Sequence, residues 1–176
     1  MAAASNATVT GRSGMDLLGI YLNDHLAGAT GGAELARRVA GSHGGQHSGE
    51  LRRLAAEIVQ DRAALLEFMA ALGIPVRAYK VCAAWLGEKA ARLKLNGRLL
   101  ARSPLSSLEE LEMMRLGVEG KAAGWRTLRT LADTDTRLDP DRLDELISRA
   151  LRHADFLEEL RVRAADQLIG REPDGR

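Results

Sequence analysis

Apolar residues recur every three to four positions along four long stretches of this chain, which is the spacing of one face of an α-helix. The first three stretches run from about Met15 to Ala40, from Gly49 to Leu72, and from a start at Ser103-Pro104 or at the Ser106–Glu110 caps to Ala132. The fourth begins at Asp139-Pro140, which is typical of a helix start. The pattern therefore predicts an all-α protein.

The connections between these helices predict the architecture. A Ser13/Asp16 capping box opens the first helix, and the links at 41–48 and 133–138 are short. Between Gly73 and Pro104 lies a long connection that carries a shorter helix, about Tyr79 to Leu95. Two antiparallel helix hairpins joined by a long crossover account for this pattern, with an up-down five-helix bundle as the alternative.

The predicted domain covers residues 15–169, between a disordered tail at 1–14 and a flexible tail at 170–176. The residues predicted to face inward follow one stripe on each helix. They are Leu18, Leu22, His25, Ala29, Gly32, Ala36 and Val39 on the first; Leu51, Leu54, Ile58, Asp61, Leu65, Phe68 and Leu72 on the second; Leu111, Met114, Val118, Ala122, Trp125 and either Leu128 or Arg129 on the third; and Leu143, Leu146, Ala150, His153, Leu157, Leu160 and Ala164 on the fourth.

Composition limits the classes of protein. Of the 176 residues 45% are hydrophobic and only 3% aromatic, and the formal net charge is +1, so no overall field attracts nucleic acid or a membrane. The single cysteine, Cys82, excludes an internal disulfide and fits a reducing cytosol. Residues 1–14 lack the apolar core of a signal peptide, and no apolar run approaches the roughly 20 residues of a membrane span. We expect a cytoplasmic protein.

Each long helix also places an ionisable residue near its midpoint, on or beside the apolar stripe. These residues are Asp24 and His25, Glu57 and Asp61, Glu119, and His153. Burying an unpaired charge costs several kcal/mol. We therefore expect these side chains to pair, to bind a ligand or to lie at a wet edge.

These midpoints resemble the ligand pattern of the ferritin-like di-iron proteins. That family carries a Glu on helix one, Glu-x-x-His on helix two, a Glu on helix three and Glu-x-x-His on helix four. In this chain helix two reads Glu57-x-x-Gln60, helix three supplies Glu119, and helix four reads Ala150-x-x-His153. The resemblance covers about residues 15–169 and implies a ferritin-like four-helix bundle.

The departures from the family pattern put a di-iron centre in doubt. Gln60 replaces an imidazole, Ala150 replaces a bridging carboxylate, and Asp24 or His25 stands at the helix-one position. What the resemblance still implies is at most one iron or other divalent metal. The candidate ligands for that ion are Glu57, Glu119, His153 and His25.

A structural explanation competes with the metal site. If the first hairpin closes near residue 45, His25 lies within one turn of Asp61, and a hydrogen bond between them would satisfy both groups. Glu119 is expected to pair with Arg62 or Arg115 at the bundle edge. The small residues of the 28–33 stretch are expected to let a neighbouring helix approach closely.

The crossover is locally basic. Residues 77–102 carry one acid, Glu88, among seven basic side chains: Arg77, Lys80, Lys89, Arg92, Lys94, Arg98 and Arg102. They form either a solvated face packed over Trp85 or a docking strip for an acidic protein, centred on Arg92, Lys94 and Arg98.

Taken together, these patterns favour a non-enzymatic ferritin-like bundle with a structural polar core, without a cofactor, that forms a homo-oligomer such as a dimer or binds a partner. The alternative is a metal-dependent redox or iron-handling protein that uses the reduced carboxylate and histidine set.

Overall fold

Four long α-helices form the described part of the chain. A computed structural model describes residues 3–42, 46–77 and 104–170, with side chains described from residue 14 in the first helix and from residue 105 in the third. The helices are α1 (Ala3–Ser42), α2 (Ser48–Ala71), α3 (Pro104–Ala132) and α4 (Pro140–Leu168). No strand occurs among these residues, so the predicted all-α four-helix bundle is confirmed.

Local signals in the sequence explain several helix ends. The side chain of Asp139 accepts hydrogen bonds from the backbone N–H groups of Asp141 and Arg142, and Pro140 occupies the first turn, so the predicted start of α4 is confirmed. Helix α2 ends before Gly73, whose φ of 71° lies in the left-handed region that glycine adopts without strain.

Helix α1 differs from its predicted extent. It begins at Ala3, whereas the sequence predicted a start near Met15. Ser13 and Asp16 therefore lie inside the helix, and the predicted capping box is wrong. Alanines near its beginning favour helix and offer no competing stop signal. The separation of the two predicted tails, 1–14 and 170–176, from the bundle stays a prediction.

Neighbouring helices are antiparallel throughout the bundle. In every neighbouring pair, the residue numbers of the contact partners rise along one helix as they fall along the other. The contacts are Asn23–Pro75 and Thr30–Arg62 between α1 and the α2 segment; Tyr21–Thr127 and Arg38–Glu110 between α1 and α3; Glu57–His153 and Glu67–Arg142 between α2 and α4; and Lys121–His153 and Arg129–Asp144 between α3 and α4. Consequently α2 and α3 run parallel on the diagonal, and the end of α2 and the start of α3 lie at opposite ends of the bundle.

The core confirms the stripes predicted for the last three helices. The predicted inward positions on α2, α3 and α4 are buried, including Asp61 and His153; of the two alternatives at the end of the α3 stripe, Leu128 is buried and Arg129 is half-buried. On α1, Leu22, Ala36 and Val39 are buried, whereas Leu18, His25, Ala29 and Gly32 are only half-buried. The inner face of α1 is therefore the least enclosed of the four.

The predicted crossover helix at Tyr79–Leu95, Cys82 and all of the basic strip after Arg77 lie outside the described residues. Of the helices that are described, none combines the length and the apolar character that crossing a bilayer requires.

Candidate functional site

Two pairs of polar side chains join α2 to α4 at the centre of the bundle. Because these helices are antiparallel, residues 57 and 61 of α2 face residues 153 and 149 of α4. His153 Nε2 lies 2.6 Å from Glu57 Oε2, and the guanidinium of Arg149 donates to Asp61 Oδ1. Arg53, one turn before Glu57, donates to the other oxygen of Glu57 over 2.8 Å.

Helix α3 supplies the residue that joins these two pairs. The ammonium of Lys121 donates to Asp61 Oδ2 over 2.5 Å, and it lies 3.1 Å from Nδ1 of His153. One lysine thus links a carboxylate of α2 to an imidazole of α4. We call Glu57, Asp61, Lys121, Arg149 and His153 the central network.

The central network is enclosed enough for its pairing to matter. The side chain of Asp61 is 2% exposed, that of His153 6% and that of Lys121 14%. A buried charge is tolerated only with partners of opposite charge and hydrogen bonds to its remaining atoms. Asp61 has a cation on each oxygen, so pairing is, for this carboxylate, the outcome among the three that were expected.

The donors and acceptors of the network fix one arrangement of protons. A lysine ammonium only donates, so Nδ1 of His153 accepts from Lys121. The proton of the neutral imidazole is then on Nε2, which donates it to Glu57. Burial lowers the pKa of His153, and the nearby Lys121 charge lowers it further, which favours this neutral form.

Burial and charged neighbours also shift the pKa values of Lys121 and Glu57, the two hydrogen-bond partners of His153. Burial lowers the pKa of Lys121, and the Asp61 carboxylate opposes that shift. For Glu57, burial raises the pKa, but the hydrogen bonds from His153 and Arg53 outweigh it and the net pKa is lowered. Glu57 therefore acts as an anionic acceptor.

The four predicted metal ligands do not meet at one point. Glu57 and His153 are hydrogen-bonded, but Glu119 is exposed on the outside of α3, 3.9 Å from Arg115. His25 lies on α1 against Tyr21, with ring centroids 4.4 Å apart, and is not hydrogen-bonded to Glu57 or His153. Within residues 3–42, 46–77 and 104–170, no three His, Cys, Asp or Glu side chains are placed to hold a metal ion. The metal site stays a hypothesis without a coordination geometry.

Two of the competing structural expectations can be compared with these contacts. The predicted hydrogen bond between His25 and Asp61 is wrong: the described hydrogen bonds of Asp61 come from Lys121 and Arg149 instead. The predicted pairing of Glu119 with Arg115 at the bundle edge is confirmed, although at 3.9 Å it is a loose, solvent-screened contact.

Sequence reasoning missed Lys121 and Arg149 as members of the centre. A signal for Lys121 was present, because it lies three positions after the buried Val118 and four before the buried Trp125, which is inward spacing. Arg149 directly precedes the buried Ala150 and reaches inward from the edge with its long side chain.

A cleft of about 430 Å³ lies beside the central network, between α1, α2 and α3. Most of its lining is apolar or glycine, and Asp61, Lys121 and His25 also reach it. We call it the α1–α3 cleft. Its lining includes Asp24, His25, Gly28, Gly32, Asp61, Arg62, Met113, Met114, Gly117, Gly120, Lys121, Gly124 and Trp125.

The glycines of the cleft correct one expectation. The small residues of α1 were expected to let a neighbouring helix approach closely, but a Cβ built on Gly28 or Gly32 would meet nothing within 4 Å. Close approach is found instead on α3, where a Cβ on Gly124 would lie 3.1 Å from Nδ1 of His25. The α1 glycines border open space.

Comparison with protein-family models, with curated proteins and with solved structures found no match for this chain. The functional proposals below therefore depend on its own residues.

Proposed function

We propose that this chain is a non-enzymatic bundle of the ferritin-like type in which an internal lysine replaces the central metal. The observation that carries the proposal is the position of Lys121, whose ammonium lies between Asp61 and His153. A cation that is part of the chain neutralises the buried carboxylate there. A second cation at the same place would be repelled.

The polarity of the hydrogen bonds supports a structural role for the network. Nδ1 of His153 accepts from Lys121 and Nε2 donates to Glu57, so neither ring nitrogen has a lone pair left for a metal. Asp61 is likewise engaged on both oxygens. Together these hydrogen bonds fix the register in which α2, α3 and α4 pack against one another.

Metal analysis of the purified protein tests this proposal. After incubation with ferrous iron and desalting, we expect less than about 0.1 equivalent of iron per chain, and iron oxidation no faster than in buffer. The matched variant is Glu57→Gln, which keeps the shape of the side chain but removes its charge.

Under the proposal, Glu57→Gln lowers the melting temperature and leaves the iron content unchanged. Stoichiometric iron in the wild type that disappears in Glu57→Gln would establish the metal-dependent redox or iron-handling alternative instead. Nothing in the described geometry favours that alternative.

Association of this bundle with itself or with a partner is part of the same proposal and stays a prediction. Arg92, Lys94 and Arg98, the candidate contacts for an acidic protein, lie outside the described residues. Sedimentation at several protein concentrations measures the self-association, and its salt dependence measures the charge contribution.

A further inference from the structure

The α1–α3 cleft contains glycines that the packing of the described helices does not require. Gly28 and Gly32 of α1 and Gly117 and Gly120 of α3 lie inside helices, where glycine costs about 1 kcal/mol relative to alanine. A Cβ at any of the four would meet nothing within 4 Å. Their shared effect is to keep space open along the cleft.

The size and lining of that space suit a small molecule. Pockets for small ligands typically measure roughly 300–1,000 Å³ and are mostly apolar with a few polar groups. The cleft measures about 430 Å³. Met113 and Met114 on its α3 wall have flexible, polarisable side chains that adapt to ligands of different shape.

Two hydrogen-bond donors at the polar end of the cleft are not taken up by the described contacts, and the exposed carboxylate of Asp24 also lines the cleft. Lys121 has three N–H donors, of which Asp61 and His153 take two. The indole N–H of Trp125, a residue that is 3% exposed and lines the cleft, has no hydrogen-bond partner within the described ranges. Each oxygen of Asp61 already accepts a hydrogen bond from a cation of the central network.

We propose that the α1–α3 cleft binds an apolar molecule with an anionic, hydrogen-bond-accepting head, namely a medium-chain carboxylate. The head accepts a hydrogen bond from the third N–H of Lys121, and the Arg62 guanidinium at the cleft wall offsets the negative charge of Asp24. The hydrocarbon tail lies along the glycines and methionines. This inference goes beyond the structural role of the central network, which keeps its internal pairs whether or not the cleft is filled.

Calorimetric titration with sodium decanoate, below the concentration at which it forms micelles, tests the inference. We expect saturable binding of one decanoate per chain. 1-Decanol has the same tail with a neutral head, and it should bind at least tenfold more weakly because it lacks the charge that Lys121 attracts. Acetate, which has only the head, should show no saturable binding.

Two cleft-filling variants and one matched variant locate the site. Gly32→Leu and Gly120→Leu add side chains into the open space and should weaken decanoate binding at least tenfold. Gly49→Leu makes the same change at another glycine whose Cβ has open space but which does not line the cleft, and binding should be unchanged. Circular dichroism and the melting temperature show whether each variant is folded.

Three results would overturn the inference. The first is absence of saturable decanoate binding to the wild type, and the second is equal binding to Gly120→Leu and Gly49→Leu. The third is binding that appears only after Trp85→Ala, which would mean that the chain between residues 78 and 103 occupies the cleft. Iron content is independent of all three, so failure here is distinguishable from failure of the proposed structural role.

Discussion

The central network and the α1–α3 cleft lie on two sides of Lys121 and show opposite ways of arranging a helix interface. In the network, side chains from α2, α3 and α4 are matched atom by atom, with Asp61 held by Lys121 and Arg149. In the cleft, α1 faces α3 across four glycines at which an added Cβ would meet nothing within 4 Å, namely Gly28, Gly32, Gly117 and Gly120. One interface fixes the register of three helices, whereas the other leaves a space.

This difference predicts where substitutions are tolerated. Removing one member of a buried charged network leaves its partners buried and unpaired. The resulting loss of stability is larger than the net stabilisation that the intact pair provides. Adding atoms to an open cleft costs little and can even stabilise the helix. The expected effects on the free energy of unfolding therefore differ in sign as well as in size.

The largest expected effect is at Asp61. Asp61→Ala leaves Lys121 and Arg149 without their carboxylate in the bundle interior and should destabilise the fold by about 3–5 kcal/mol, measured by urea denaturation. Asp144→Ala is the matched control, because its carboxylate is 57% exposed and pairs with Arg129, and it should cost less than about 1 kcal/mol. Equal losses in the two variants would contradict the central role of Asp61.

A sharper version adds Lys121→Met to Asp61→Ala. If the loss of stability in Asp61→Ala comes from the unpaired Lys121 ammonium, the double variant should be more stable than Asp61→Ala alone. A double variant that is less stable than either single one would mean that the network contributes mainly through packing.

The second effect separates two glycines of the same helix. A Cβ on Gly124 would lie 3.1 Å from the ring of His25, so Gly124→Ala should destabilise by about 1–3 kcal/mol. A Cβ on Gly120 has open space, so Gly120→Ala should stabilise by up to about 1 kcal/mol. In a His25→Ala background the penalty at Gly124 should disappear, as thermal unfolding would show.

A third and smaller effect is the dependence of stability on pH. Burial lowers the pKa of both His153 and His25 below the usual 6.5, so the unfolded chain binds more protons than the folded one as the pH falls through that value. Stability should be full above about pH 7 and decrease toward pH 5.5. A His25→Gln/His153→Gln variant should show a flatter profile over that window.

At lower pH, protonation of Glu57 should cause a separate loss of stability. Its pKa is lowered from 4.5, so the stability that its carboxylate contributes is present above that value and is lost as the pH falls below it. If the double histidine variant keeps the full decrease between pH 7 and 5.5, the assignment to the two imidazoles is wrong.

The smallest expected effect is at the outer edge of the α2–α4 contact. Glu67 pairs with Arg142 as Asp61 pairs with Arg149, two turns nearer the end of α2, but its side chain is 58% exposed. Glu67→Ala should therefore change the free energy of unfolding by less than about 1 kcal/mol, measured in the same urea series. A loss comparable with that of Asp61→Ala would mean that position within the network does not matter.

The sequence predicted the helices better than the site. The inward positions that periodicity predicted on α2, α3 and α4 are buried apart from the alternative Arg129, because each amphipathic stripe is a local property of its own helix, although Ala55, Ala64, Met69 and Ala154 are buried as well. Periodicity was less accurate for α1, where an open cleft leaves His25 and Gly32 half-buried although they have inward spacing.

The site was predicted only in part. The pairing of buried charges and the pair of Glu119 with Arg115 could be anticipated from chemistry, and so could the presence of His153 in the interior. The partners of Asp61 could not be anticipated, because His25, Lys121 and Arg149 all lie near the height of Asp61 along the bundle axis. A long, flexible cation reaches a buried carboxylate from positions that spacing alone assigns to the edge.

By itself, then, the sequence determined that this chain forms four amphipathic helices with ionisable residues near their midpoints, because those features depend on neighbours a few residues apart. Only the tertiary structure decided that Lys121 lies between Asp61 and His153, and that a cleft separates α1 from α3. Those choices depend on the relative rotation and spacing of helices far apart in the chain, which a one-dimensional pattern does not contain.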